Sequence, residues 1–266
     1  MALAGPIDAV MRRARAVRGN LRLGHFGDRR LAMRLGAELR GWQLQEALTL
    51  KRFTREFEVD CIFDVGANIG QYARMLRRDC GYRGLILSFE PNPHDFATLS
   101  AAAADDDRWH CLPIALTDRD ATLTFNIMAY SQFSSLLPPD PGQDAQFDGY
   151  NRVAEQVEVA GRRLDGLFAK LQEQYGFARP FLKMDTQGHD LAVLRGAEGV
   201  HGQLLGLQTE LSFRALYEGG TGYRAMLDAC EDVGFTPCAI FPNNGGHFPL
   251  LYEVDAILVR RDLAGL

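Results

Sequence analysis

Phe63-Asp64-Val65-Gly66-Ala67-Asn68-Ile69-Gly70 joins an apolar, strand-like run to an Asp-x-Gly-x-x-x-Gly turn. Glycine at positions 66 and 70 lets the backbone turn tightly and meet a ligand with no Cβ in the way. Glu90 closes the next apolar run, Leu85 to Phe89, 20 residues beyond Gly70. In open α/β sheets an acid at that place hydrogen-bonds ribose hydroxyls. The pair predicts a nucleoside-bearing cofactor at the carboxyl edge of a parallel sheet. A dinucleotide would ask for Gly-x-Gly-x-x-Gly, so that a pyrophosphate can approach a helix N-terminus. Here the spacing differs, and the Asp64 carboxylate repels pyrophosphate but suits the ammonium of an amino-acid moiety. The cofactor with ribose at one end and an amino acid at the other is S-adenosylmethionine.

A second cluster, Asp185-Thr186-Gln187-Gly188-His189, also follows an apolar strand and precedes a helix, so it reaches the same edge. Methyl transfer from a sulfonium needs the acceptor oxygen, methyl carbon and sulfur in line, and a group to take the hydroxyl proton. His189 is the first choice for that base, since imidazole titrates near neutral pH. Asp185 would orient the base or face the cofactor, and Glu210, at the end of a later strand, is a second base or a substrate anchor. The blander readings are a capping histidine at 189, an N-cap at 185 and an ion pair of Glu210 with Arg214. Asp185, His189 and Glu210 also form a conceivable hard-metal set, but their wide spacing argues against it and no metal is expected.

These residues carry a resemblance. Phe63 to Tyr72 and Ser88-Phe89-Glu90-Pro91-Asn92-Pro93 look like the first two motifs of the FkbM-type S-adenosylmethionine-dependent methyltransferases. Ala115-Leu116-Thr117-Asp118, Leu164-Asp165, Leu182 to Asp190, Val193 to Ala197, Gln208 to Leu211 and Asp255 to Arg260 fit in the same order. The likeness spans about residues 58–262. It implies a Rossmann-like class I methyltransferase that methylates a hydroxyl of a sugar or secondary metabolite. It also implies Asp64, Gly66 and Gly70 around the amino-acid end of the cofactor, with Asn68 nearby. Glu90, followed by Pro91, would hold the ribose, and the segment from Ala115 to Asp118 would lie near the adenine. One departure stands out: the family often carries Glu-Gly-x-Glu after the strand-end Asp, where this chain has Gln187-Gly188-His189-Asp190.

The elements that must hold these groups alternate. Short apolar runs at 61–65, 85–89, 109–112, 181–184 and 205–211 are separated by helical stretches at 70–80, 96–104, 166–175 and 191–197. This is the α/β pattern of a mostly parallel sheet with helices on both faces. A further helix over 223–233 leads to a C-terminal antiparallel hairpin, 235–241 and 255–260, joined through Asn243-Asn244-Gly245-Gly246. Ala121 to Ile127 is a strand that can pair with Val157 to Val159. The irregular segment 128–156 is long enough for a functional lid. Its Tyr130, Phe133, Ser134, Ser135, Phe147 and Tyr150 could cover an acceptor, and Tyr217 to Gly220 could form another wall. Ahead of the sheet, Leu31, Leu35, Leu39, Trp42 and Leu48 mark helical segments, so we divide the chain into a helical arm, 1–57, and a methyltransferase domain, 58–266.

Composition excludes several alternatives. With 47% hydrophobic and 24% charged residues the 266-residue chain is an ordinary globular protein. No apolar run nears the roughly 18 residues of a membrane span, and the start has no secretory leader pattern. Five scattered cysteines without Cys-x-x-Cys argue against a disulfide framework or zinc site and fit a reducing cytoplasm. Residues 1–55 hold 12 Lys and Arg against 4 acids, whereas the rest holds 17 against 30. So acidic a body does not suit a nucleic-acid backbone, and the arm is read as neutralising it. The expected partner is a small hydroxylated acceptor, and a homodimer is allowed. A nicotinamide-linked oxidoreductase and a non-catalytic nucleoside-binding scaffold are the rival readings.

Overall fold

The computed structural model describes residues 41–242 and 249–266, and side chains from residue 44 onward. The candidate turn at 243–246, His247 and His25, the basic arm to residue 40 and the Leu31–Leu39 stripe lie outside the described residues. The site lies in the compact unit Ala47–Leu266. Helix α1, Gly41–Glu56, carries into that unit. Its Ala47, Leu50 and Phe53 recur at helical spacing and are buried, whereas Leu48 is only half-buried. The compact unit therefore starts 11 residues before the boundary drawn at residue 58, because this stripe has its apolar partners in the sheet.

The strands are β1 Cys61–Val65, β2 Leu85–Phe89, β3 Trp109–Leu112, β4 Ala115–Leu116, β5 Ala121–Met128 and β6 Val153–Arg162. They continue with β7 Pro180–Met184, β8 Gly206–Ser212, β9 Phe235–Pro242 and β10 Glu253–Arg260. Seven form one sheet in the order β3-β2-β1-β7-β8-β10-β9. Six run in one direction, and β10 alone enters antiparallel, between β8 and β9. This is the Rossmann-like class I methyltransferase fold. The remaining strands form a separate sheet, β4-β6-β5, in which Phe125 stands opposite Val157 as expected.

Helices cover both faces. Phe63, Leu182, Leu207 and Leu258 point to one face and pack under α4 (Leu164–Tyr175), α5 (Asp190–Gly196) and α6 (Tyr223–Asp232). Ile62, Ile86, Phe181 and Ile257 point to the other, under α1, α2 (Gln71–Met75) and α3 (Pro93–Ala103). Burying each Leu, Ile or Phe contributes about 1.5–3 kcal/mol, so the sheet register is fixed by two apolar faces at once. Two helices differ from the expectation. The run 70–80 is α only to Met75 and continues as a π-helix, Leu76–Cys80. Helix α4 starts at Leu164, two residues before the expected 166, and Asp165 in its first turn accepts from the Arg163 guanidinium at 2.5 and 2.9 Å. All five cysteines are free, and among the described residues no helix is long and apolar enough to cross a membrane.

Candidate active site

Where β1 ends, Gly66, Asn68 and Gly70 all take left-handed backbone conformations, with φ of 72°, 47° and 85°. Such angles cost a residue with a Cβ on the order of 1–2 kcal/mol, least for Asn. Space matters as much as angle. A Cβ on Gly66 would stand 1.9 Å from the Asp185 carbonyl oxygen, and one on Gly70 would stand 2.8 Å from the Trp109 ring. The glycines thus serve close packing between β1, β7 and β3 as well as an open turn. Glu90 fastens this turn from β2. Its carboxylate accepts from the Asn68 backbone N–H at 2.7 Å and the Asn92 N–H at 2.8 Å. The Asn68 and Asn92 side-chain amides both donate to Asp95. Burial pushes Glu90 up to about 7, and the two N–H bonds pull against that shift. Pro91 follows Glu90 into the loop that starts α3.

Period-two alternation puts a polar row beneath the turn. Ser88, Asp64 and Lys183 are neighbours across β2, β1 and β7, and Gln208 follows on β8. Asp64, like Ser88, is fully buried. Its carboxylate pairs with Lys183 Nζ at 3.2 Å and accepts from Ser88 Oγ at 3.1 Å, so it sits inside the sheet rather than at an open rim. Lys183 Nζ also lies 3.4 Å from Asp185. Burial disfavours the ammonium, but Asp185 and Asp64 outweigh it and raise the lysine above its ordinary range. Nothing in the sequence reading assigned Lys183 a role. Its signal was a lone cation inside Pro180-Phe181-Leu182-Lys183-Met184, at an in-pointing position.

Two residues further along each strand lies a second row at the sheet's carboxyl edge. Asp185 follows β7 and is the open member, its side chain 41% exposed. Glu210 lies two residues before the end of β8, opposite Asp255 of β10. The Gln187 amide, held on a left-handed backbone of φ 56°, bridges them, donating to Asp185 at 2.9 Å and lying 3.4 Å from Glu210. Tyr217 hydroxyl donates to Gln187 Oε1 or to the Phe133 carbonyl, each 2.8 Å away. Behind the row, buried Asp190 accepts from Thr186 N–H and Thr209 Oγ at 2.8 and 2.7 Å, tying the 185–190 loop to β8. Glu253, which the sequence reading left out, is buried beside Glu210 on the same face.

His189 stands elsewhere. Its Nε2 lies 3.0 Å from Thr117 Oγ, and the charges it feels are Asp118 and Arg119. Burial lowers its pKa. The structure therefore gathers Asp185 and Glu210 and sets His189 with the buried Ala115–Thr117 segment. Asp118 accepts from Thr117 and Arg119 at the outer side of that segment. No three His, Cys, Asp or Glu side chains among the described residues gather as metal ligands. The segment 128–156 is bolted to the site, because Ser135 Oγ donates to the Gln187 carbonyl at 2.8 Å. Phe133, Phe147, Tyr130 and Tyr150 pack on one another above it.

The methyltransferase FkbM domain matches residues 64–237, from the buried acid of β1 into β9. The chain belongs to the FkbM methyltransferase family. S-adenosylmethionine is its methyl donor, which removes the nicotinamide-linked alternative. Methyltransferase sdnD of Sordaria araneosa is 27% identical over 201 residues, covering 65% of this chain and 73% of that one. Among solved structures, Aeropyrum pernix fibrillarin with natively bound S-adenosyl-L-methionine aligns at a TM-score of 0.43 and 14% identity. That alignment covers 81% of this chain and 74% of fibrillarin. Magnesium protoporphyrin IX methyltransferase of Synechocystis PCC 6803 aligns at 0.44 and 8% identity, over 98% of this chain and all of that one. The donor set fits the FkbM cofactor: carboxylates line the edge where a sulfonium and an ammonium would lie, with Lys183 the cation tied among them.

Proposed function

We propose that this FkbM methyltransferase methylates a hydroxyl group on a sugar or secondary-metabolite acceptor, in the cytoplasm. The observation that carries the reading is the Asp185–Gln187–Glu210 bridge at the carboxyl edge, two residues beyond the row that ties β1 to β7. A neutral alcohol is a poor nucleophile, so transfer to oxygen needs a proton acceptor beside the reacting atoms. Carboxyl groups at that edge supply one.

In this reading Glu90 accepts from the ribose hydroxyls, and Gly66, Asn68, Gly70 and Pro91 shape the wall around them. Asp64 acts from inside the sheet: with Lys183 it fixes the height of Asp185, which faces the cofactor's ammonium. Ala115 and Thr117 flank the adenine, with Asp118 at its rim and His189 as their support. The cofactor supplies an electrophilic methyl on a sulfonium. Glu210 takes the hydroxyl proton, Gln187 keeps Asp185 and Glu210 apart, and the aromatic cluster of 128–156 excludes water over the acceptor. His189, the first choice from sequence, is held by Thr117 rather than aimed at that edge.

The test is a transfer assay with methyl-labelled cofactor and a panel of glycosides, polyols and hydroxylated polyketides. Label in an ether product supports the reading. Label only in amine or carboxyl products refutes hydroxyl specificity, and tight cofactor binding with no transfer favours a scaffold subunit.

A further inference from the structure

A carboxyl group that no sequence feature had singled out lies behind the proposed base. Glu253 opens β10, and because β10 runs antiparallel to β8 its first residues lie at the carboxyl edge. Asp255 stands opposite Glu210, which puts Glu253 diagonal to Glu210 on the same face, within reach of a long side chain. The register brings the two carboxyl groups together on that face. An ionised carboxylate only accepts, so two carboxyl groups brought together this way bond to each other when one of them carries a proton. Both are buried, Glu253 at 6% exposure and Glu210 at 9%. The remaining Glu253 oxygen, Oε1, has no hydrogen-bond partner.

The surroundings allow one charge on this pair, not two. Asp185 from the β7 edge, Asp190 from α5 and Asp255 from β10 all push Glu210 toward its neutral form. Tyr217 is neutral, its hydroxyl raised mainly by burial. Burial and then Asp185 raise Glu253 to about 7, and burial and then Glu253 raise Glu210 well above its ordinary value. Lys183, whose ammonium lies beside Asp185, is already paired with Asp64 and Asp185.

We propose that Glu210 and Glu253 form a proton-sharing carboxyl pair that serves as the base for methyl transfer, with Glu210 facing the acceptor and Glu253 as its positioning residue. The inference rests on the hydroxyl-methylation reading above. At the start the pair holds one proton and one negative charge. As the acceptor O–CH3 bond forms and the S–CH3 bond breaks, the acceptor proton passes to Glu210. The pair ends neutral with two protons, and S-adenosylhomocysteine leaves without its sulfonium charge. The positive donor and the negative pair thus cancel in the transfer, a change that a low-dielectric edge favours. On product release the second proton returns to solvent.

The test needs no known acceptor. Calorimetric titration at pH 7 in buffers of different ionisation enthalpy counts the protons released on binding. S-adenosylmethionine brings a sulfonium beside the pair and drives off part of the shared proton, up to about one; S-adenosylhomocysteine does not. We expect more proton release with the first ligand than with the second, and loss of the excess in Glu253→Gln, whose amide donates to Glu210 but holds no acid proton. Glu210→Gln loses it too, and unchanged S-adenosylhomocysteine affinity reports an intact cofactor site. With a turned-over acceptor, Glu253→Gln moves the acid limb of the kcat profile to lower pH, a shift that a merely structural role would not give. Equal release by both ligands, or an excess that survives in Glu253→Gln, overturns the proposal. Failure of either ligand to bind would instead overturn the cofactor reading, and the pair's role with it. Transfer to nitrogen alone, with the proton excess intact, would fail the hydroxyl reading separately.

Discussion

Glu90 concentrates the chemistry of the turn into one carboxyl group. Its folded-state pKa of about 7 lies above its unfolded value, so the folded protein holds more protons than the unfolded chain between roughly 4.5 and 7. Stability from this group is therefore present at low pH and is lost as pH rises through 7. Ribose hydroxyls reverse the balance, because they donate best to the ionised form. We expect affinity for S-adenosylhomocysteine to rise as pH climbs from 6 to 8, and Glu90→Gln to weaken binding about tenfold or more and flatten that rise. Titration calorimetry across this range decides it, and a pH-independent wild-type affinity refutes the role. His189 gives the contrasting case. Its hydrogen bond to Thr117 predicts that His189→Ala costs about 1 kcal/mol of stability while turnover changes less than in Glu210→Gln. A loss of turnover equal to that of Glu210→Gln would restore the histidine as base.

Among the elements, β1 and β7 depend on one buried ion pair. Lys183→Met leaves Asp64, which has no exposed surface, uncompensated beside Asp185, and this should cost about 3–5 kcal/mol. Replacing both charges, Asp64→Asn with Lys183→Met, should recover much of it. Urea denaturation of the four species measures the coupling, and additive losses would show that the pair does not hold the strands. This pair also shows why the sequence was only partly legible. Asp64, Glu90, Asp185 and Glu210 each follow or end an apolar run, so period-two alternation and strand-end position found them. Lys183 and Glu253 lie within runs where alternation gives a face but not a partner, and partners come only from the strand order β1-β7-β8-β10. Glycine-rich spacing found the turn at Gly66, yet the Asp185 carbonyl 1.9 Å from its missing Cβ comes from just past β7, far along the chain. Conversely, the place of His189 at its helix start gives no sign of Thr117, which follows β4 and lies beside it. The π-helical end of the run 70–80 had no periodic signal.

Across the whole molecule the formal charge of −5 is unevenly spent. Along one sheet edge lie Glu90, Asp185, Glu210, Glu253 and Asp255, with Asp64 beneath them, and Lys183 is the cation bonded into the row. Charges of one sign in a cleft with low-dielectric walls reinforce one another and set a potential over the whole site. Such an edge should discriminate between ligands that differ by one methyl group and the positive charge it places on sulfur. S-adenosylmethionine carries that charge and S-adenosylhomocysteine does not, so the field favours entry of substrate and departure of spent cofactor. Salt separates this field from local contacts, since the Debye length shrinks from about 10 Å at 0.1 M to 3 Å at 1 M. Raising sodium chloride over that range should weaken S-adenosylmethionine several-fold while S-adenosylhomocysteine changes little. Competition binding at each salt concentration gives the two slopes. Equal slopes would mean that the acidic edge is fully neutralised by its own protons and pairs, and that discrimination comes from contact geometry alone.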